Sequence, residues 1–463
     1  MRSSFPVILA LGLLLLLAPG RAVQADDAAK PARTLFTNAR VFDGVKDGLS
    51  EPTSVLVVGN KIEAVGADAS KEGATVIDCG GMTLMPGLID AHTHFAFTRE
   101  IQAAKNLDTP GDIALRAAEH ARRALYDGFT TARDLGGDVF AVKRAIDAGL
   151  IEGPRIYPSG AFISQTSGHG DFGDASRPNT AAGVTSDQLV RLGFSRIADG
   201  VPDVLKAVRQ NLRQGATQIK VMGGGGGSSP WDPIDTTQYS EAEWRAAVEA
   251  AADWGTYVTT HIFTDRAVKR AVTAGVKCLD HAFFMSEDVI KMCADKGVFV
   301  APQMWGVSPE LFNNPNVPKS KHAGIRDLQK TYAPFASWLL KHKVKVCFAS
   351  DILGPFDNGQ LSRRYELYYR TVAFKSNYEV LKQATSVPGE LLMLSGPRNP
   401  YPGKLGVIEK GAFADILVVQ GNPLEDIFVL GASKEWFKAP APKPVETLRV
   451  IMKDGRIYKN TLK

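Results

Sequence analysis

Cysteine is scarce. The 463-residue chain carries four, Cys79, Cys278, Cys293 and Cys347, widely spaced and without a CxxC pair. That excludes a disulfide-built fold and a cysteine-ligated zinc module. Apolar neighbours, as in VKCLDH (276–281) and KVCFAS (345–350), read as buried free thiols, with one disulfide left open. No long basic run accompanies the net charge of +5, so neither nucleic acid nor an anionic membrane is the expected partner. There is no internal repeat, and the one low-complexity stretch, GGGGG (223–227), lacks the Gly-Lys-Ser/Thr of a phosphate-binding loop. Long apolar runs are missing too, apart from VILALGLLLLLA (7–18), which is short for a bilayer span. With Arg2 before it and VQA (23–25) after it, this run reads as an export signal, with the mature chain starting near Asp26. No cysteine follows the run, which argues against a lipoprotein anchor. The expectation is an exported protein, periplasmic or secreted, with no stable membrane association after cleavage.

What remains is globular. The chain is 44% hydrophobic and 22% charged, and too long for one small domain. Short alternating runs at RTLFTNARVFDG (33–44), TSVLVVGNKIEAVG (53–66) and ATVIDCGGMTLMP (74–86) suggest a small antiparallel sheet. The same texture returns at 405–421 and 447–460, so both termini are expected to build one β-sandwich. Between them, eight strand-like segments alternate with helical stretches: 87–94, 130–136, 155–163, 218–223, 257–263, 277–284, 298–305 and 346–351. Helices are expected at 112–128 and 240–255, the second with Ser240 and Glu243 spaced as a capping box. The fold class is therefore α/β, a (β/α)8 TIM barrel with an appended sandwich. Its expected divisions are a signal at 1–25, sandwich segments at 26–85 and 405–463, and the barrel at 86–404.

Catalytic groups in such a barrel gather at the C-terminal ends of the strands. Those ends carry His92, His94, Lys220, His261, His281 and Asp351. In GLIDAHTHF (87–95), residues two apart point the same way, so His92 and His94 both face the barrel mouth and share one metal. Lys220 cannot ligate a cation as an ammonium. Desolvation and nearby metal lower its pKa, and the neutral amine then captures carbon dioxide as a metal-bridging carbamate; a salt bridge to Asp351 is the simpler alternative. His120, in a charged helical stretch, and His322 and His342, among lysines, read as solvated.

These residues resemble the amidohydrolase superfamily, whose first-strand motif is matched by PGLIDAHTH (86–94). Within it the chain is most similar to the imidazolonepropionase-like group, with its Xaa-Pro dipeptidases (prolidases), carboxypeptidases and ochratoxin-type amidases. TSGHGD (166–171), VKCLDH, ATSVPGELL (384–392) and AFADILVVQGNPLEDI (412–427) carry that likeness. The resemblance implies two divalent ions, commonly zinc. His92, His94 and Asp351 would hold one, His261 and His281 the other, and N6-carboxylated Lys220 would bridge them with a hydroxide. That hydroxide would attack an amide or peptide C–N bond of a dipeptide or N-acyl amino acid, with Asp351 carrying the proton to the leaving nitrogen. His169 would steady the oxyanion. Tyr239 and Arg363 or Arg364 are further candidates to meet a substrate carboxylate. Phe263 stands where relatives often have tyrosine, so specificity here is expected to differ. The partner is then a small molecule or short peptide, and homo-oligomers occur among relatives. Other readings are hydrolysis of a cyclic amide or lactone, deamination (disfavoured by Lys220), or a non-catalytic scaffold (disfavoured by the complete ligand set).

Overall fold

A computed structural model describes residues 31–173, 187–227, 229, 231–314, 317, 319–437 and 439–462. The expected export signal lies outside them. Among the described residues no helix is long and apolar enough to cross a membrane.

The first segment forms β1 (Arg33–Val41), β2 (Thr53–Val58), β3 (Lys61–Val65), β4 (Thr75–Asp78) and β5 (Thr83–Pro86). The middle of the chain supplies β6 (Leu88–Thr93), β7 (Phe129–Asp134), β8 (Arg155–Pro158), β9 (Phe162–Ser164) and β10 (Ser195–Ile197). It continues with β11 (Ile219–Met222), β12 (Val258–Thr264), β13 (Cys278–Phe284), β14 (Phe299–Ala301) and β15 (Lys345–Val346). The end of the chain adds β16 (Ile416–Val419), β17 (Leu448–Lys453) and β18 (Arg456–Asn460).

Both termini join in one eight-stranded sheet, ordered β18-β17-β16-β5-β1-β2-β3 with β4 also on β1. The sheet is mixed rather than antiparallel throughout, because β1 runs parallel to β4 and to β5. Every residue of β16 is buried. Ile416 and Val418 pack into the terminal-sheet core with Phe36, Val55 and Ile62. Leu417 and Val419 point the other way, against residues of the middle segment such as Phe129 and Leu125. A strand apolar on both faces is what a layer between two cores requires, and β16 is how the terminal sheet sits against the middle of the chain.

The middle strands pair in two parallel sheets, β6-β7-β8 and β10-β9-β11-β12-β13-β14-β15. These are not one continuous ladder, but backbone bonds bridge the gaps. Ala91 N–H donates to Phe348 O at 2.9 Å and Asp351 N–H to His92 O at 2.7 Å; Thr217 N–H donates to Pro158 O at 2.9 Å. The run expected as one strand at 155–163 is broken at Gly160, whose φ of +70° favours glycine. Helix Glu241–Asp253 has the reciprocal Ser240–Glu243 cap expected from sequence. Helix Pro110–Tyr126 has a second such cap, from Thr109 and Asp112.

His120 corrects its sequence reading. It lies on the inner face of Pro110–Tyr126, fully buried, edge-on to Phe95 and Phe356. His342 is half-buried beside Glu287, and His322 reaches Val317 O. All four cysteines are buried and free.

Candidate metal centre

His92 is the penultimate residue of β6 and His94 directly follows its end at Thr93, and the two side chains reach one point. Their Nε2 atoms lie 3.1 Å apart, and each is 3.2 Å from Asp351 Oδ1. The opposite ring atoms, Nδ1 of both histidines, are buried without a hydrogen-bond partner. His281 Nδ1 lies 3.8 Å from Asp351 Oδ2. His92, His281 and Asp351 offer ligand atoms all within 4.8 Å of one another. The His261 ring lies 4.4 Å from that of His281, centroid to centroid. Nitrogen and oxygen acceptors converging in a buried place, with too few protons to satisfy them, fit a divalent cation.

Electrostatics agree with that fit. Burial, reinforced by Lys220, drives His92 well below the usual imidazole range. Burial, reinforced by His169, does the same to His261, while His281 falls to about 4. The neutral ring is the form that ligates. Burial alone would raise Asp351, but the His94 hydrogen bond and the neighbouring His281 hold it down to about 2. Asp351 and His281 also occupy left-handed backbone, φ 47° and 67°. Such conformations cost on the order of 1–3 kcal/mol each and gather at working sites.

Beneath the cluster lies a charged floor. Lys220 Nζ is 2.5 Å from Asp280 Oδ2, which also accepts Thr259 Oγ1 at 2.9 Å. Arg133, fully buried, donates to Asp280 Oδ1 at 2.9 Å and to Ala91 O at 2.5 Å. Burial lowers the Lys220 pKa against the pull of Asp280. Sequence reading missed Asp280, although it immediately precedes His281 in an apolar strand, and with it the ion pair that Lys220 makes here.

The walls are specific. Gln303 Nε2 donates to Asp351 Oδ2 at 3.0 Å, and its side-chain amide also meets His281 Nδ1, with Oε1 at 2.8 Å. His169 pairs through Nδ1 with Asp232 Oδ2 at 2.9 Å and stacks flat on His261, centroids 3.8 Å apart. The glycine run explains this approach, since a Cβ on Gly226 would stand 2.0 Å from His169 Cε1. Gly225 O meets His261 Nε2 at 3.1 Å. On one side a chamber opens, lined by Phe263, Phe283, Phe284, Trp305, Leu311 and Trp436. Phe263 stacks on His281 at 5.3 Å. A second cavity, lined by His94, Phe97, Arg99, Phe172 and Met222, shares His169 and Leu353 with the first.

Three candidates stand apart from both cavities. Tyr239 is buried, and its hydroxyl donates to Ala198 O at 3.0 Å. Arg363 lies buried between Asp90, 3.6 Å away, and Asp127, at 3.5 Å. Arg364 binds Asp127 at 2.7 Å and Lys443 O at 2.8 Å.

A profile of the amidohydrolase family matches residues 83–439. The ochratoxinase of Aspergillus niger is 31% identical over 386 residues, 81% of this chain and 75% of the relative. The crystal structure of a prolidase complexed with N-methylphosphonate-L-proline is similar with a TM-score of 0.81 and 32% identity, over 93% of this chain and 100% of that one. A Xaa-Pro dipeptidase with methionine bound in its active site gives 0.76 and 27%, over 93% and 100%.

Proposed function

Because this chain belongs to the amidohydrolase family, we propose that it is an exported, binuclear metal-dependent hydrolase of amide or peptide C–N bonds. Its substrate is a dipeptide or N-acyl amino acid. One observation carries this reading: the Nε2 atoms of His92 and His94 converge with Asp351 Oδ1 at 3.1–3.2 Å. The relatives named for ochratoxin and for Xaa-Pro dipeptides support the bond type. We read the two parallel sheets as a (β/α)8 barrel over 86–404 and the terminal segments as one sandwich, in keeping with the bridging backbone bonds at Ala91 and Asp351.

His92, His94 and Asp351 would hold one ion, His261 and His281 the second, with carboxylated Lys220 between them; zinc suits this donor set. Such ions supply carbonyl polarisation and a nucleophile at neutral pH. The remaining work falls to the chain's own groups. Asp351, oriented by Gln303 at Oδ2, takes the proton of the attacking water and returns it to the leaving nitrogen. His169, fixed through Nδ1 by Asp232, presents its Nε2 edge to the substrate oxygen. The aromatic chamber excludes water and takes an apolar part of the substrate. Arg99, held by Asp108 at 2.9 Å, is the cation available in the second cavity for a carboxylate.

The test is hydrolysis of a library of Xaa-Pro dipeptides and N-acyl amino acids by the zinc-loaded protein, with Asp351→Asn as control. Cleavage that vanishes in the variant supports the reading. An untouched library beside cleavage of cyclic amides or lactones replaces it.

A further inference from the structure

Far from the metal centre, where the terminal sheet meets the start of β8, a cavity of about 590 Å³ opens to solvent. Its walls come from distant parts of the chain. Lys61 begins β3, Lys453 ends β17, Arg456 begins β18, and Tyr401 and Phe413 lie in the connection leading to β16. The turn between Lys453 and Arg456 is Asp454-Gly455, both at positive φ, 56° and 72°, the geometry that joins two strands tightly. It is locked in place, since Gly455 N–H donates to Ala414 O and Asp454 N–H to Asp415 Oδ1.

The charges do not balance within this pocket. Asp415 and Asp454 are both held by Arg155, at 3.1 and 2.6 Å. Asp454 also accepts from Asn60. Asp147 is engaged by Lys143 and by the Tyr401 hydroxyl. Lys61, Lys453 and Arg456 form no salt bridge and no side-chain hydrogen bond among the described residues. Lys61 lies over the Phe413 ring, its ammonium 3.2 Å from the centroid, and Arg456 over Tyr458 at 5.2 Å. Lys453 is only 5% exposed yet lines the cavity. Its ammonium faces the Tyr458 ring at 5.8 Å and feels Asp415, Asp454 and Asp147 only at a distance, and burying an ammonium this far without a direct hydrogen bond is costly.

We propose that this cavity binds a small multivalent anion, a phosphate or a dicarboxylate, gripped by Lys61, Lys453 and Arg456. Three cations from two separate chain segments suit an anion with more than one charge. Its binding ties the hairpin tip to β3 across the end of the sheet. Burial and neighbouring Arg155 depress the Lys453 pKa against the pull of Asp415, Asp454 and Asp147, and an anion in contact would favour the charged form further. Nothing in the hydrolytic site requires this ligand.

The probes are inorganic phosphate and, separately, succinate, titrated calorimetrically into the metal-loaded full chain at low ionic strength. Saturable binding is expected for at least one of them; which one identifies the ligand class. Lys453→Met should weaken it by roughly tenfold or more, the scale of a lost charge-assisted hydrogen bond. Arg456→Gln, on the exposed hairpin, should weaken it as well and covers the case in which the buried substitution fails to fold. Hydrolytic activity should be unchanged in both variants. Hydrogen exchange should slow in peptides covering 448–460 when the anion is added. Absence of saturable binding overturns the proposal. So does binding that both variants retain, or protection confined to the metal centre.

Discussion

Two buried ionic clusters lie within the same domain and are built to different standards. In the first, Glu366 accepts the backbone N–H groups of Met304 and Trp305 at 2.8 Å and pairs with Arg370 at 2.5 Å. Arg370 then donates to Gln383, to Pro302 O and to Cys347 O, all at 2.8–2.9 Å. Both residues are fully buried, and neither lines the two cavities beside the His–Asp cluster. The second cluster, around Asp351, leaves Nδ1 of His92 and His94 without a hydrogen bond, holds two residues in left-handed backbone, and opens to two cavities. A network that satisfies every member is finished as structure. One that leaves acceptors converging and backbone strained is shaped for something bound to it.

Disturbing each cluster should therefore give opposite phenotypes. The largest effect is expected from chelation, which should abolish hydrolysis while leaving the fold intact, with activity returning on addition of a divalent ion; activity assays with circular dichroism check this. Asp351→Asn should lower kcat by roughly 10²–10⁴-fold, the contribution of a general acid–base group, while circular dichroism remains that of the folded chain. Arg370→Met should do the reverse. Leaving Glu366 buried and unpaired costs about 3–5 kcal/mol of stability, read by denaturant unfolding, while kcat per folded molecule stays near wild type.

The smallest effect sharpens the comparison through a third buried group. Burial, reinforced by Arg363, holds His120 down to about 3, so its ring is neutral in the folded protein at neutral pH. An unfolded histidine titrates near 6.5, so below that pH the unfolded chain binds the proton first and stability falls as pH drops from about 6.5 toward 3. His120→Leu should flatten this slope by up to about 1.4 kcal/mol per pH unit, measured as the pH dependence of unfolding. Equal slopes in variant and wild type would show that His120 is not neutral in the fold.

Legibility followed the same division. That His92, His94, His261, His281 and Asp351 come together could be read because they lie in or just past parallel strands that deliver them to one place; Lys220, early in β11, pairs with Asp280 instead. Asp280 could not be read, because its partners Lys220, Arg133 and Thr259 arrive from three other strands and no local pattern announces them. His120 misled because its helix is densely charged, while the helix Phe356–Phe374 that covers it comes from far along the chain; a Cβ on Gly359 would stand 2.5 Å from its Nε2. Tyr239, Arg363 and Arg364 likewise owe their positions to tertiary partners. The alternation of strands and helices was plain, but the break at Gly160, the short strand Ser195–Ile197 and the parallel pairs of β1 rest on single residues and long-range register.

If the His–Asp cluster is a metal centre, the ions must travel with the protein. Elemental analysis of the purified chain after dialysis against metal-free buffer tests it most directly, beside the Lys220→Ala variant. About two divalent ions per chain are expected, with most of that metal lost in the variant. A hydrolytically active protein carrying no stoichiometric metal would contradict that expectation.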